Sequence, residues 1–283
     1  MTQPKIIIHG GFFSEAETSD AIKKAKQNAL SDIVKKSYHF LLSQSALKTV
    51  AYAVELLEDC DLFNAGIGSQ IQRDGKIRMS ASLMDGQTLK FSGVINIEDV
   101  KNPIRVAEQL MHVDDRVLAG EGAINFARAN GFKYYNTETE QRRKEYKIKL
   151  DTSRVGTVGC VALDKDNNLA VATSTGGKGF EIPGRVSDSA TVAGNFVNSM
   201  CGVSCTGVGE DIVSGAIAAK IVTRVTDGLS INEACERTFA ELQPFDGFAG
   251  AIAIDKHGNI FHIDSHPKMV FALFDGDNLA VFN

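Results

Sequence analysis

Two ten-residue segments leave little freedom in how this chain is built: "VALDKDNNLA" (161–170) and "IAIDKHGNIF" (252–261). Each reads as a strand, a polar turn and a second strand. A chain that reverses within a few residues pairs its strands antiparallel, because a parallel pair needs a long crossover. The segments 76–97, alternating around Asp85-Gly86, and 270–282, "VFALFDGDNLAVF", read the same way. "KIIIHGG" is a short opening strand ending on two glycines. Helical spacing appears between these blocks: Ala21, Ala25, Ala29 and Ile33, then Ala46, Val50, Ala53, Val54 and Leu57. It predicts two helices between about 15 and 59, broken near 43–45. A third starts after Asn102, a plausible N-cap, with Pro103 at its first position. A fourth, 120–132, ends at Gly131, and 211–226 and 230–242 also read as helices. Blocks of hairpin-linked strands and separate helices predict an α+β protein with antiparallel sheets inside and helices outside. The likeness of the first two segments marks two hairpins of one type, not a repeat architecture.

The sequence has 283 residues, read here as a single domain, 1–283. A net charge of −5 argues against a nucleic-acid partner. No apolar run is long enough to span a bilayer, so no membrane partner is expected. "MTQPKIIIHGG" lacks the pattern of a signal peptide, which predicts a cytoplasmic protein. The five cysteines, Cys60, Cys160, Cys201, Cys205 and Cys235, are irregularly spaced in mostly apolar surroundings. They read as buried thiols. Cys201 and Cys205 lack the second ligand pair that a zinc site needs.

A charged stretch, 136–154, interrupts the pattern and reads as an exposed, mobile linker. It runs directly into "GTVGC", where Gly156 and Thr157 precede an apolar strand. If the hairpin pairs symmetrically about Asp166, Thr157 lies opposite Thr175 and two hydroxyls meet at its open end. Threonine is a good strand former, so a merely structural pair is the plain alternative. The linker adds a chemical reading. A cut between Gly156 and Thr157 would give Thr157 a free α-amino group, with a pKa of about 7.7–8.0. That amine reaches its own hydroxyl, and a threonine hydroxyl becomes a nucleophile only with such a base. Glycine at 156 lets the backbone bend so that Thr157 itself makes the cut.

Taken in order, "GTVGCVALDKDNNLAVATSTGG", "PGRVSDS" and "SCTGVGE" resemble the plant-type asparaginase and isoaspartyl peptidase family of N-terminal-nucleophile hydrolases. "IHGG", "LLEDCDLFNAGIG", "LMDG" and "KNPIRVAEQL" extend the resemblance over nearly the whole chain. It implies a four-layer αββα sandwich, self-cleaved into an α subunit, 1–156, with a flexible end at 136–156, and a β subunit, 157–283. By resemblance, Thr157 is the nucleophile for cleavage and catalysis, and Thr175 positions it. Arg185 grips a substrate α-carboxylate, Asp188 pairs with its α-amino group, and Thr206 and Gly207 form the oxyanion hole. Asn64 holds the precursor geometry at Gly156, although a turn or capping role fits it nearly as well. Backbone carbonyls of Leu57, Glu58, Cys60, Phe63, Ala65 and Ile67 match the family's sodium loop. No cofactor is implied for catalysis, only a structural Na⁺, and a homodimer of two-part protomers is expected.

The implied reaction is hydrolysis of β-aspartyl dipeptides and of the side-chain amide of L-asparagine through an acyl-enzyme. Two alternatives stand beside it. One is a glycosylasparaginase-like amidase, although such enzymes usually carry Asp where Gly156 stands. The other is a ligand-binding homologue that never matures. Spacing alone also allows Arg185 and Asp188 to be a mutual surface ion pair. Glu210 reads as structural, and His9 as closing the first strand against the helices. The chain departs from the family at Phe12-Phe13, at Ser80, at Ser187 and at 264–268, "DSHPK". These positions bear on the pocket, and Phe12-Phe13 and Ser187 are candidates for narrowing its exit side.

Overall fold

The computed structural model describes residues 2–13, 19–148, 156–266 and 268–283. Eight strands form one sheet: β1 (Lys5–Phe12), β2 (Met79–Asp85), β3 (Phe91–Ile97), β4 (Val117–Ala119), β5 (Val158–Leu163), β6 (Leu169–Thr175), β11 (Met269–Phe274) and β12 (Leu279–Val281). Their order across the sheet is β12-β11-β1-β5-β6-β2-β3-β4. A second sheet, ordered β10-β9-β8-β7, contains β7 (Asn195–Val197), β8 (Cys201–Gly207), β9 (Ala249–Asp255) and β10 (Ile260–Asp264). The expected hairpins are present as β2–β3, β5–β6, β9–β10 and β11–β12. One pair departs from the antiparallel expectation: β4 adds to β3 in parallel.

Alternation along the strands decides what each face touches. On β5, Val158, Cys160 and Ala162 join the core under helices α1 (Asp20–Leu41), α2 (Ala46–Glu58) and α3 (Pro103–Leu110). Val161 and Leu163 point the other way, into a core shared with Ile252 and Ile254 of the second sheet. The outer face of that sheet packs Val203, Cys205 and Ala251 against α7 (Ile217–Thr226) and α8 (Ile231–Ala240). The result is helices, sheet, sheet, helices: an αββα sandwich.

Local chemistry sets the element ends. Ser19 and Ser45 cap α1 and α2 by accepting from the amides of Ile22 and Lys48. Asn102 does not cap α3 with its side chain. Its amide donates to Asp59, and the carboxylate of Glu58, reaching from α2, accepts from Ile104 N at 3.1 Å instead. The helix expected over 211–226 is two: α6 (Gly209–Gly215) and α7, separated by Ala216 in the left-handed region at φ 47°. Its neighbour explains the break, because Ala218 N donates to Ala193 O rather than up its own helix.

The charged stretch before Thr157 is not all exposed linker. Residues Glu140–Lys147 form α5, capped by Thr139. Arg142 is only 4% exposed, and its Nε donates to Gly68 O at 2.9 Å. Tyr146 stacks on Phe180 at 5.2 Å. A buried guanidinium and a stacked ring hold this segment against the body, a docking that charge composition conceals. Residues 149–155 lie outside the described part of the chain.

Candidate active site

The register of β5 and β6 pairs Val158 with Ser174 and Gly159 with Thr173. One step further, Thr157 comes opposite Thr175, and the two Oγ1 atoms stand 3.3 Å apart. Both are 4% exposed and lie on the face toward the second sheet, at its open end. Thr175 Oγ1 also accepts from Gly177 N at 3.2 Å. Ser189, which sequence reading did not single out, lies 3.5 Å from Thr157 Oγ1. Its signal was its place directly after Asp188 in "PGRVSDS".

These groups open onto a cavity of about 210 Å³. Its lining includes Gly156, Thr157 and Thr175 together with Arg185, Ser187, Gly207, Gly209 and Glu210. Arg185 and Asp188 are not a mutual surface ion pair. Arg185 donates from Nε and Nη2 to the two carboxylate oxygens of Glu210, each at 2.8 Å. This contact holds Glu210 well below the usual carboxylate range, at about 2. An arginine has a second edge, Nη1 with the outer hydrogen of Nη2, and Glu210 leaves that edge open to a carboxylate. Glu210 thus lines the cavity as the hydrogen-bonded partner of Arg185.

Asp188 is 1% exposed, and Ser187 Oγ donates to its Oδ1 at 2.8 Å. Burial pushes its pKa up to about 6, while the Ser187 hydrogen bond pulls the other way. Its Oδ2 is buried without a partner and lies where a Cβ on Gly194 would come within 2.4 Å; Thr206 Oγ1 on β8 is also buried without a partner. Neither residue lines the cavity itself, although their neighbours Ser187 and Gly207 do. Gly209 is required here: a Cβ would lie 2.5 Å from Ser187 Oγ and 2.9 Å from Arg185 Nη2. Gly207 has φ +141°, and its Cβ would meet Phe248 O at 2.4 Å.

Asn64 is 3% exposed. Its Oδ1 accepts from Gln70 N, its Nδ2 donates to Gly177 O, and its own carbonyl accepts from Gly176 N. It thus braces the turn directly after Thr175. The Leu57, Glu58, Cys60, Phe63, Ala65 and Ile67 loop is folded tightly on itself. A Cβ on Gly66 would meet Glu58 O at 2.2 Å, and one on Gly68 would meet Phe63 O at 1.8 Å and Asp61 O at 3.0 Å. The carbonyls of Leu57, Cys60 and Ala65 accept within the loop, from Cys60 N, Phe63 N and Gly68 N. Among the described residues there is no cluster of three His, Cys, Asp or Glu side chains that would hold a metal.

Phe12 and Phe13 do not line the cavity. Phe12 packs on Phe248 between the sheets, and Phe13 on Phe282. Ser80 sits opposite Thr175 on β2 and accepts from Asn96 N. In the 264–268 segment, Asp264 and Ser265 accept from Met269 N and Ala249 N. Ser187 is the one of these departures that reaches the cavity. His9 also differs from expectation: it faces the second sheet, not the helices, and contacts Ser204 there.

An αββα sandwich with a threonine at the start of a central strand, paired to a second hydroxyl and facing a cavity, defines an N-terminal-nucleophile hydrolase. Residues 2–282 match the family model described as asparaginase, and the chain belongs to that family. It is 45% identical to an isoaspartyl peptidase/L-asparaginase of Nostoc sp., covering 98% of this chain and 94% of the relative. It is 42% identical to the isoaspartyl peptidase of Escherichia coli, covering 92% and 89%. With a plant-type L-asparaginase of Pyrococcus furiosus the identity is 36%, over 94% and 95%. Among the described residues no helix is long and apolar enough to cross a membrane.

Proposed function

We propose that this protein is a threonine hydrolase that cleaves β-aspartyl dipeptides and L-asparagine after cutting its own chain before Thr157. The observation that carries this reading is the hydroxyl pair of Thr157 and Thr175, 3.3 Å apart at the cavity wall. In maturation, Thr157 Oγ1 attacks the Gly156 carbonyl and its proton passes to the departing Thr157 nitrogen. The resulting ester is hydrolysed by water. The freed amine then serves as base. It takes the Oγ1 proton as that oxygen attacks the substrate β-carbonyl. Thr206 and Gly207 stabilise the oxyanion, where one donor contributes about 2.7–4 kcal/mol. Ammonia or an amino acid leaves with the proton, and water releases aspartate from Thr157.

The substrate α-carboxylate takes the open edge of Arg185, and its ammonium takes the ionised Asp188. Asn64 supports the reaction by fixing the turn after Thr175. A Na⁺ held by the carbonyls of the 57–67 loop would stiffen that support without touching substrate. The protein works as a homodimer of two-part protomers, and its five unpaired thiols suit the cytoplasm.

The test joins mass spectrometry to an assay. Purified protein should yield a fragment beginning at Thr157, and that material should release aspartate from β-Asp-Leu and from L-asparagine. A fragment starting elsewhere, or a glycosylated asparagine as the only substrate, overturns the reading.

A further inference from the structure

We propose that His9 is a positioning residue that holds the nucleophile by its backbone: its Nδ1–H fixes the carbonyl of Thr157, and Ser204 on the opposite sheet fixes His9. This rests on Thr157 being the nucleophile. The ladder between β1 and β5 ends with His9 opposite Gly159. Thr157 stands two residues beyond that last pair, at the edge of the sheet. There the His9 side chain supplies a donor, with Nδ1 2.9 Å from Thr157 O.

The direction of every proton in the chain behind it follows from one fact. A carbonyl oxygen only accepts, so Nδ1 carries the hydrogen. His9 is fully buried and burial lowers its pKa to about 3, so the ring is neutral and has one N–H. Nε2 is then an acceptor, and Ser204 Oγ donates to it at 2.8 Å. The Ser204 hydrogen being spent, Thr173 Oγ1 donates to Ser204 at 2.8 Å. The chain runs one way: Thr173 to Ser204 to His9 to Thr157. It crosses from one sheet to the other and back. Gly159 makes room for the crossing, since a Cβ there would lie 2.0 Å from Ser204 Oγ and 2.4 Å from His9 Nε2.

The contact matters most after maturation. Before the cut, Thr157 is anchored by a peptide bond on each side. After it, the peptide bond to Val158 remains, with the side-chain contacts to Thr175 and Ser189 and the His9 contact to the carbonyl. Rotation about the first residue would swing both the amine and Oγ1 out of line, and a misplacement of about 1 Å costs on the order of 100-fold in rate.

Two substitutions separate the halves of the bridge. His9→Asn keeps a donor near the Nδ1 position and loses the reach to Ser204. His9→Gln keeps an acceptor near Nε2 and loses the donor to Thr157. If His9 only ties the sheets together, the two behave alike. The proposal expects His9→Asn to keep kcat on β-Asp-Leu within about threefold of wild type. It expects His9→Gln to lose about tenfold or more in kcat, with KM within about twofold. If the Gln variant stalls uncut while the Asn variant matures, that is the same ordering. Equal values, or Gln above Asn, overturn it. A second readout needs no activity. In ¹⁵N-histidine-labelled wild type, the imidazole signal absent from His9→Asn should be the neutral Nδ1–H tautomer from pH 5 to 8. An Nε2–H tautomer overturns the proposal. Should wild type prove inactive on both substrates, the hydrolase reading fails, while the tautomer still decides the hydrogen bonds of His9.

Discussion

At the scale of single residues, the site divides into groups that titrate and groups that do not. Asp188, raised to about 6, must be ionised to attract an ammonium. The amine of a matured Thr157, ordinarily near about 7.7–8.0, must be neutral to take a proton. Both requirements fail as pH falls. The logarithm of kcat/KM, which reports free-enzyme groups, should therefore drop with slope one below the amine pKa and slope two below about pH 6. Asp188→Asn should lower the whole curve and leave slope one throughout; a slope of one in wild type sinks the role given to Asp188. The same shift has a stability sign. The folded form keeps a proton that the unfolded chain loses above its ordinary pKa of 3.8, so this contribution is present below 3.8 and gone once pH has risen through about 6. Much of this site was legible in the sequence. Symmetric pairing about a turn near Asp166 put Thr157 opposite Thr175, and the observed register agrees; a slip of one residue would have turned the side chains to the other face. The contacts of Glu210 with Arg185 and of Ser189 and His9 with Thr157 were not legible. They come from loops and strands distant in sequence, and no periodicity marks which oxygen an arginine edge will choose.

At the scale of elements, hydrophobic spacing and turn chemistry located the hairpins and most helices. They failed where tertiary partners overrode local rules: Glu58 serves α3 in place of Asn102, and Ala193 splits the helix expected over 211–226. The helix α5 is the clearest case, since a strongly charged octapeptide is held by a buried arginine together with the ring of Tyr146. Removing the arginine should free the element. A charge-assisted hydrogen bond contributes about 1.5–3 kcal/mol, so Arg142→Ala should raise the local opening of α5 by about tenfold or more. Trypsin should then cut after Arg143, Lys144 or Lys147 about tenfold faster than in wild type, with global unfolding little changed. Equal cutting rates would show that Arg142 does not hold the helix.

At the scale of the whole molecule, the four-layer architecture was readable only through the resemblance; the strand pattern alone gave antiparallel sheets and no layer count. The strand order carries a consequence for the proposed maturation. Across the eight-stranded sheet, β12 and β11 come from the later part of the chain, β1 from the earlier, β5 and β6 from the later, and β2, β3 and β4 from the earlier. A cut before Thr157 thus leaves two polypeptides interleaved like the fingers of two hands, meeting along three separate strand borders. The second sheet lies wholly in the later piece, but the eight-stranded sheet is complete only when both are present. Uncut Thr157→Ala protein should refold from denaturant at a rate independent of concentration, and cut protein at a rate rising with it. Identical concentration-independent refolding of both would mean that the pieces fold alone. Peptide-bond continuity is then scaffolding needed once: the chain must finish weaving before it is severed. A matured molecule that later unravels in dilute solution has lost the thread that brought its halves together.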